Sequence, residues 1–64
     1  MTKKQAREEV RRRFGAAFDV DKTPHEKPFA VMKRFHSSDD GYDFSLILGR
    51  GSSWEEAIEA AATQ

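Results

Sequence analysis

The sequence contains no cysteine among its 64 residues. A disulfide framework and a thiolate metal site are therefore both excluded. A chain of this length buries only about 60% of its unfolded surface, so its hydrophobic core is marginal by itself. The absence of cysteine fits a reducing compartment, and the small core indicates that a second subunit or a partner would add stability.

The sequence also lacks a long apolar run. No stretch approaches the roughly 20 apolar residues that a membrane-spanning helix needs. The beginning of the chain is charged where a signal peptide would have an apolar core. We therefore expect a cytoplasmic protein that does not associate with membranes.

The net charge is zero, but the charges are unevenly distributed. Residues 1–18 carry six cations against two carboxylates, a net of +4, whereas residues 51–64 carry three carboxylates and no cation, a net of −3. A protein that binds nucleic acid usually has a basic total charge. The chain instead combines a basic segment at one end with an acidic segment at the other.

The two ends of the chain have the periodicity of helices. Apolar residues recur at steps of three and four over residues 3–18, although Gly15 marks a point where this helix frays or ends. Trp54, Ala57 and Ile58 form a similar stripe over residues 53–63. A capping box formed by Ser53 with Glu56, or by Ser52 with Glu55, predicts where the second helix begins.

Between the helices, residues 29–36 and 42–49 are predicted to form two strands. The second alternates apolar and polar residues, and residues 37–41 have strong turn chemistry. A helix over 24–36 is the competing interpretation. Residues 19–28 contain two prolines and are predicted to form a connector, in which residues 23–26 resemble a capped helical turn.

These elements predict one α+β domain over residues 1–64, a two-layer helix–β-hairpin–helix (αββα) in which the helices cover Phe35 and Phe44. Both strands of an isolated hairpin are edges. Pairing with a second copy would complete a four-stranded sheet, so a homodimer is one expected assembly.

No set of residues predicts catalysis, and we expect neither an enzyme nor a cofactor. The two histidines and the nearby aspartates match no metal-ligand spacing, so we expect no metal site. If Asp39 and Asp40 form the hairpin loop, His36 lies opposite Asp43 and pairs with it. Residues 49–53 occupy the position of a phosphate loop, but no lysine follows the last glycine.

The outer face of the hairpin is the predicted site for another protein. With the helices on one side, a small apolar patch with a polar rim would lie on the other, with Met32 opposite Ile47. The function predicted from this surface is a small non-enzymatic interaction module that binds another protein and modulates or inhibits it. The residues of this site are Met32, Arg34, His36, Asp43 and Ile47.

The basic residues of the first helix indicate an alternative function. Lys3, Arg7 and Arg11 follow one another at four-residue steps, and like charges at this spacing mildly destabilise a helix unless an opposite charge offsets them. The offset would come from the acidic face of the second helix at Glu55 and Glu59, from an acidic protein surface, or from nucleic-acid phosphates. In the last case the chain would bind nucleic acid. The phosphate contacts would then come from Lys3, Lys4, Arg7 and Arg11.

One run near the end of the sequence combines the end of a strand, a glycine turn and the beginning of a helix. It is Leu46-Ile47-Leu48-Gly49-Arg50-Gly51-Ser52-Ser53-Trp54-Glu55-Glu56-Ala57. This run resembles the end of many small phage and prophage accessory proteins, in which a strand, a glycine turn and a helix beginning with serine or threonine, tryptophan, acidic residues and alanine follow one another. The resemblance implies an accessory protein, many of which bind and block one host component, in the host cytoplasm.

Overall fold

The computed structural model describes residues 1–36, 39, 41 and 43–63, and it has an α+β fold, which confirms the predicted fold class. No helix in this part of the chain is long and apolar enough to cross a bilayer. The elements follow the order αβββα, with one strand more than expected. They are α1 (Lys3–Phe14), β1 (Phe18–Lys22), β2 (Phe29–His36), β3 (Asp43–Gly51) and α2 (Trp54–Ala62).

The three strands form an antiparallel sheet in the order β1-β2-β3. Both helices pack on one face of this sheet, which we call the helix face. Their buried side chains form one cluster with residues of the two neighbouring strands β1 and β2. The edge-to-face pair of Phe29 and Trp54, with ring centroids 4.6 Å apart, closes the α2 side of the core. The fully or largely buried cluster comprises Ala6, Val10, Val20, Val31, Trp54, Ala57 and Ile58.

The prediction of a connector over residues 19–28 is wrong for residues 19–22, because they belong to strand β1 (Phe18–Lys22). Helix α1 ends at Phe14, and Gly15 adopts a φ of 129° that other residues rarely reach. Phe18 and Val20 then alternate with two aspartates and pair with β2. The predicted helical turn over 23–26 is also absent from the structure. Instead, the Thr23 N–H donates to the Pro28 carbonyl and closes the link between β1 and β2.

The strands of the hairpin and the second helix form in the predicted regions, although β3 continues to Gly51, two residues beyond the predicted end at 49. Residues 37, 38 and 40 of the predicted turn and the predicted strand start at 42 lie outside the described residues. β2 covers the predicted residues 29–36, so the competing helix over 24–36 is wrong. Of the two capping possibilities for α2, the structure has Ser53, whose hydroxyl accepts a hydrogen bond from the Glu56 N–H at 3.2 Å. Helix α1 carries a reciprocal capping box between Thr2 and Gln5.

Helix α2 lies unusually close to β3, because two glycines of β3 face it. A Cβ atom at Gly49 would lie 2.7 Å from the Ala57 carbonyl oxygen and would also overlap the backbone nitrogen of Ala61. A Cβ at Gly51 would lie 2.6 Å from the Ala57 nitrogen. Only glycine at these two positions lets the backbone of α2 approach β3 this closely.

The helices cover only part of the sheet. Helix α2 has nine residues and spans about 14 Å, whereas the nine residues of β3 extend about 30 Å. The prediction that the helices cover Phe35 and Phe44 is therefore wrong for Phe44, which is 47% exposed. These two rings stack on each other instead, 5.0 Å apart, beyond the end of the helical layer.

We predict that Gly49→Ala lowers the free energy of unfolding by about 2–3 kcal/mol, because the added methyl group overlaps backbone atoms of α2 that cannot rotate away. Urea denaturation followed by circular dichroism measures the change. Ser45→Ala on the exposed part of the same strand is the control, with an expected change of under about 0.5 kcal/mol. Equal stability of the two variants would contradict the close approach.

Candidate interaction surface

The predicted register of the outer sheet face, which is the face opposite the helices, is correct. Met32 pairs with Ile47, and His36 pairs with Asp43, whose side chain contacts the imidazole Nδ1. Arg34 lies between these pairs, opposite Ser45. The structure thus brings together all five residues of the predicted protein-interaction site.

The accessibility of the five residues differs. Arg34, His36 and Asp43 are exposed and Ile47 is 38% exposed, but Met32 is only 9% exposed. A charged substitution at Met32 would therefore test folding rather than binding. The accessible outer face is a polar surface with Ile47 at its margin, so the apolar patch is smaller than the sequence indicates.

Long polar side chains cross this outer face. Arg50, paired with Ala30 on the central strand, donates from Nη1 to the Thr23 hydroxyl beyond β1. The Arg34 side chain also extends toward β1, where its Nη2 lies 3.1 Å from Asp19 Oδ2. Ala30 is fully buried on the face that carries no helix. These crossings explain how that face is covered without a second layer.

The largest exposed apolar surface in the described part of the chain lies on β3, which is an edge strand. Leu46 is 53% exposed, and with Phe44 and Ile47 it forms a nearly continuous apolar stretch. Phe44 and Leu46 lie on the helix face, which makes that side of the edge apolar, whereas on the outer face Ile47 is the one apolar side chain beside Asp43 and Ser45. We call the segment Asp43–Ile47 the open edge.

Sequence reasoning missed Phe44 and Leu46 as surface residues because their alternation is also that of a buried strand. One signal was present. Residues 44–49 include no charged side chain, although 34% of the chain is charged. Edge strands of monomeric proteins usually carry charges that prevent pairing with other chains. An uncharged run in so charged a sequence is therefore informative.

The opposite edge of the sheet, formed by β1, is occupied by side chains of α1. Asp19 projects from the outer face opposite Met32, whereas α1 packs on the helix face. Arg7 must therefore pass around the β1 edge to place its Nε 2.7 Å from Asp19 Oδ1. Arg11 donates to the Phe18 carbonyl on the same edge. The β1 edge is thus covered by side chains of α1, whereas the β3 edge exposes apolar side chains.

These contacts also identify the carboxylates that offset the positive charges at four-residue steps along α1. Lys3 Nζ lies 3.0 Å from Asp21, and Arg7 and Arg11 both lie near Asp19. The expectation that Glu55 and Glu59 of α2 neutralise the row is wrong, because β1 supplies the carboxylates. Among the described residues, Lys4 forms no ion pair.

Asp19 is the centre of this cluster and is only 4% exposed. Burial by itself raises the pKa of Asp19, but hydrogen bonds from the Val20 N–H and from Arg7, together with the charges of Arg7 and Arg34, hold it below the ordinary value of 3.8. The ionised carboxylate therefore joins α1 to the sheet. The pKa of Asp21 is also lowered, first by its hydrogen bond from Lys3.

An open groove of about 500 Å³ runs between the two helices, and four of its five charged groups are paired, Glu59 being the exception among the described residues. Glu9 contacts Arg13 at 2.8 Å, and the terminal amine lies 3.7 Å from Glu55. No group of three metal-ligating side chains occurs within residues 1–36, 39, 41 and 43–63. The groove therefore offers no arrangement that we can assign to a reaction.

No known protein family, curated protein or solved structure matches this chain. The resemblance of residues 46–57 to phage accessory proteins therefore stays a prediction. In the structure this segment is the glycine-lined contact between β3 and α2.

We predict that the free energy of unfolding falls as the pH drops below about 4, because the lowered pKa of Asp19 makes its contribution present above that pH and lost on protonation. Asp19→Asn should lower stability at pH 7 by about 1–3 kcal/mol and reduce the decrease at low pH. The decrease that remains includes the contribution of Asp21.

Urea denaturation at pH 7, 5, 4 and 3 measures this effect. Glu26→Gln, which removes an exposed carboxylate outside the cluster, is the matched control and should leave the wild-type pH dependence intact. An Asp19→Asn protein whose stability follows the wild-type curve at every pH would show that the cluster does not join α1 to the sheet.

Proposed function

We propose that this protein is a non-enzymatic interaction module that binds an extended segment of another polypeptide along the open edge of β3. The observation that carries the proposal is the exposure of Phe44, Leu46 and Ile47 on an uncharged stretch of an edge strand. Edges of this kind are templates for strand pairing unless something blocks them.

The chemistry of such binding is the addition of a strand. Main-chain hydrogen bonds to the open edge supply affinity, while alternate side chains of the bound segment meet different surfaces of the module. On the helix face they meet Phe44, Leu46 and the stacked Phe35. On the outer face they meet Ile47 and the charged Arg34. A segment with an apolar and a polar face satisfies both sides.

The length of the open edge is limited at one end. The pairing of β2 with β3 is irregular between Val31 and Met32, which leaves Leu48 as a bulged residue. Bulges interrupt pairing on a strand. The bound segment would therefore be short, about five residues opposite Asp43–Ile47. A module that captures such a segment blocks whatever that segment otherwise pairs with, which is a simple route to inhibition.

The alternative of nucleic-acid binding through Lys3, Lys4, Arg7 and Arg11 receives less support. Lys3 and Arg7 already contact the carboxylates of β1, and Arg11 contacts the Phe18 carbonyl. Phosphates would have to compete with these bonds, and counterion release would supply less of the binding free energy. We therefore favour the protein partner.

We predict that panning a random peptide phage library against the sparsely immobilised protein selects peptides with alternating apolar residues, and that these bind with dissociation constants in the range of about 1–100 µM. Leu46→Lys should weaken their binding at least about tenfold, because it places a charge on the apolar side of the edge. Isothermal titration calorimetry with synthetic copies of the selected peptides measures the effect.

Ala16→Lys adds the same charge at an exposed position just before β1, on the opposite side of β2 from the open edge, and is the matched control. It should bind the peptides as the wild-type protein does. Selection of no peptides above background, or peptides that bind Leu46→Lys at full strength, would overturn the proposal.

A further inference from the structure

We propose that the part of the helix face beyond α1 and α2 binds an amphipathic helix of a partner protein, and that this helix carries a carboxylate within its apolar stripe. The surface comprises Phe18, Lys33, Phe35, Phe44 and Leu46, and we call it the aromatic face. It shares two residues with the open edge, but the helix would lie on the sheet and would not use the main-chain groups of β3. The proposal therefore goes beyond the proposed function.

The aromatic face begins where the helical layer ends. Phe18, Lys33 and Leu46 form one row across the three strands, and Phe35 pairs with Phe44 in the next row. The rows before them on the same face are buried beneath the helices. Phe44 and Leu46 are nevertheless 47% and 53% exposed. The apolar layer of the sheet thus extends past the helices that cover it, which is typical of a surface on which another element packs.

A strand bound at the open edge would leave the middle of this face uncovered. Such a strand lies about 4.8 Å from β3 and therefore about 10 Å from the central strand β2. Its side chains would meet Phe44 and Leu46, whereas Lys33 on β2 and Phe18 beyond it would remain uncovered. A helix instead packs on several strands at once, as α2 does on β2 and β3. A helix is therefore the element that fits the whole aromatic face.

Lys33 determines the charge that this helix must bring. Its Nζ lies 5.7 Å from the centre of the Phe18 ring and 5.2 Å from that of Phe35, so two cation–π contacts hold the ammonium over the middle of the face. No carboxylate in the described part of the chain forms an ion pair with Lys33. An apolar layer placed over this ammonium would remove its water without replacing it, which is costly.

The partner helix compensates for this cost if an aspartate or glutamate interrupts its apolar stripe. The carboxylate would then accept a charge-assisted hydrogen bond from the Lys33 ammonium, while apolar residues at helical spacing contact Phe44 and Leu46. A stripe without an acidic residue would leave the cation buried and unpaired. Charge complementarity therefore distinguishes this partner from a purely apolar helix.

Single-stranded nucleic acid is the other class of partner that combines aromatic stacking with cations. Two observations disfavour it. Phe35 and Phe44 stack on each other, 5.0 Å apart at an interplanar angle of 11°, so one side of each ring is already occupied. Lys33 is the one cation among the five residues of the aromatic face, whereas a phosphate backbone is bound by several. We therefore propose a protein helix.

A displayed library of three-helix bundles tests the proposal, because a bundle presents a preformed helix that cannot add as a strand. The outward residues of one helix are varied among leucine, phenylalanine, glutamine, glutamate and lysine, and the bundles are selected on the sparsely immobilised wild-type protein. We expect the enriched bundles to carry a glutamate among apolar residues and to bind with dissociation constants of about 1–100 µM. Changing that glutamate to lysine in the bundle should weaken binding at least about tenfold.

A charge exchange assigns the contact to Lys33. Lys33→Glu should weaken binding of the glutamate bundle at least about tenfold in isothermal titration calorimetry, and it should bind the lysine form of the same bundle with nearly the original affinity. A variant that had lost its fold would not show this recovery. Lys27→Glu makes the same change of charge at an exposed position between β1 and β2, and it should keep the wild-type preference for the glutamate bundle.

The proposal is wrong if no bundle is enriched, if the enriched bundles lack an acidic residue, or if the lysine form fails to recover binding to Lys33→Glu. It is also wrong if a single-stranded oligonucleotide, and no bundle, binds the wild-type protein more tightly than Lys33→Glu. If selected extended peptides still bind the open edge in any of these cases, the proposed function stands and only the helix site is wrong. If no peptide binds either, both proposals fail.

Discussion

The close approach of α2 to β3 is the constraint on which the rest of the structure depends. Gly49 and Gly51 let the helix backbone rest directly on the strand, and the alanines of α2 add little bulk to the contact. The tight contact confines a short helix to one half of a long strand. The other half of β3 therefore extends beyond the helical layer with its apolar side chains exposed. The core and the candidate site are two results of the same packing.

The two edges of the sheet are covered differently, and the proposed function depends on this difference. At β1, Lys3 and Arg7 of α1 reach around the strand to Asp21 and Asp19, so the carboxylates of this edge are paired with cations of the helix. At β3, the only polar side chain between Asp43 and Gly49 is that of Ser45. A charge-rich chain that leaves residues 44–49 of an edge strand uncharged presents a specific place for a strand, and three cations of its basic helix already have partners.

Much of the fold follows from local patterns. The alternation of residues 42–49, the turn chemistry of 37–41 and the cap at Ser53 correctly predicted two strands, their register and the beginning of α2. β1 was missed because its two aspartates and the following prolines are typical of a loop. In the strand those aspartates bind cations twelve and eighteen residues earlier in the chain, a pairing that no local window contains.

The sequence by itself determined which residues form the hairpin and that His36 faces Asp43 and Met32 faces Ile47, because a period of two and a turn position suffice for this. The tertiary structure alone decided which apolar residues are buried. Met32 is covered although it lies on the face without helices, and Leu46 is exposed although it lies on the face with them. The physical reason is that burial depends on the length and placement of the covering layer, and periodicity specifies only a face.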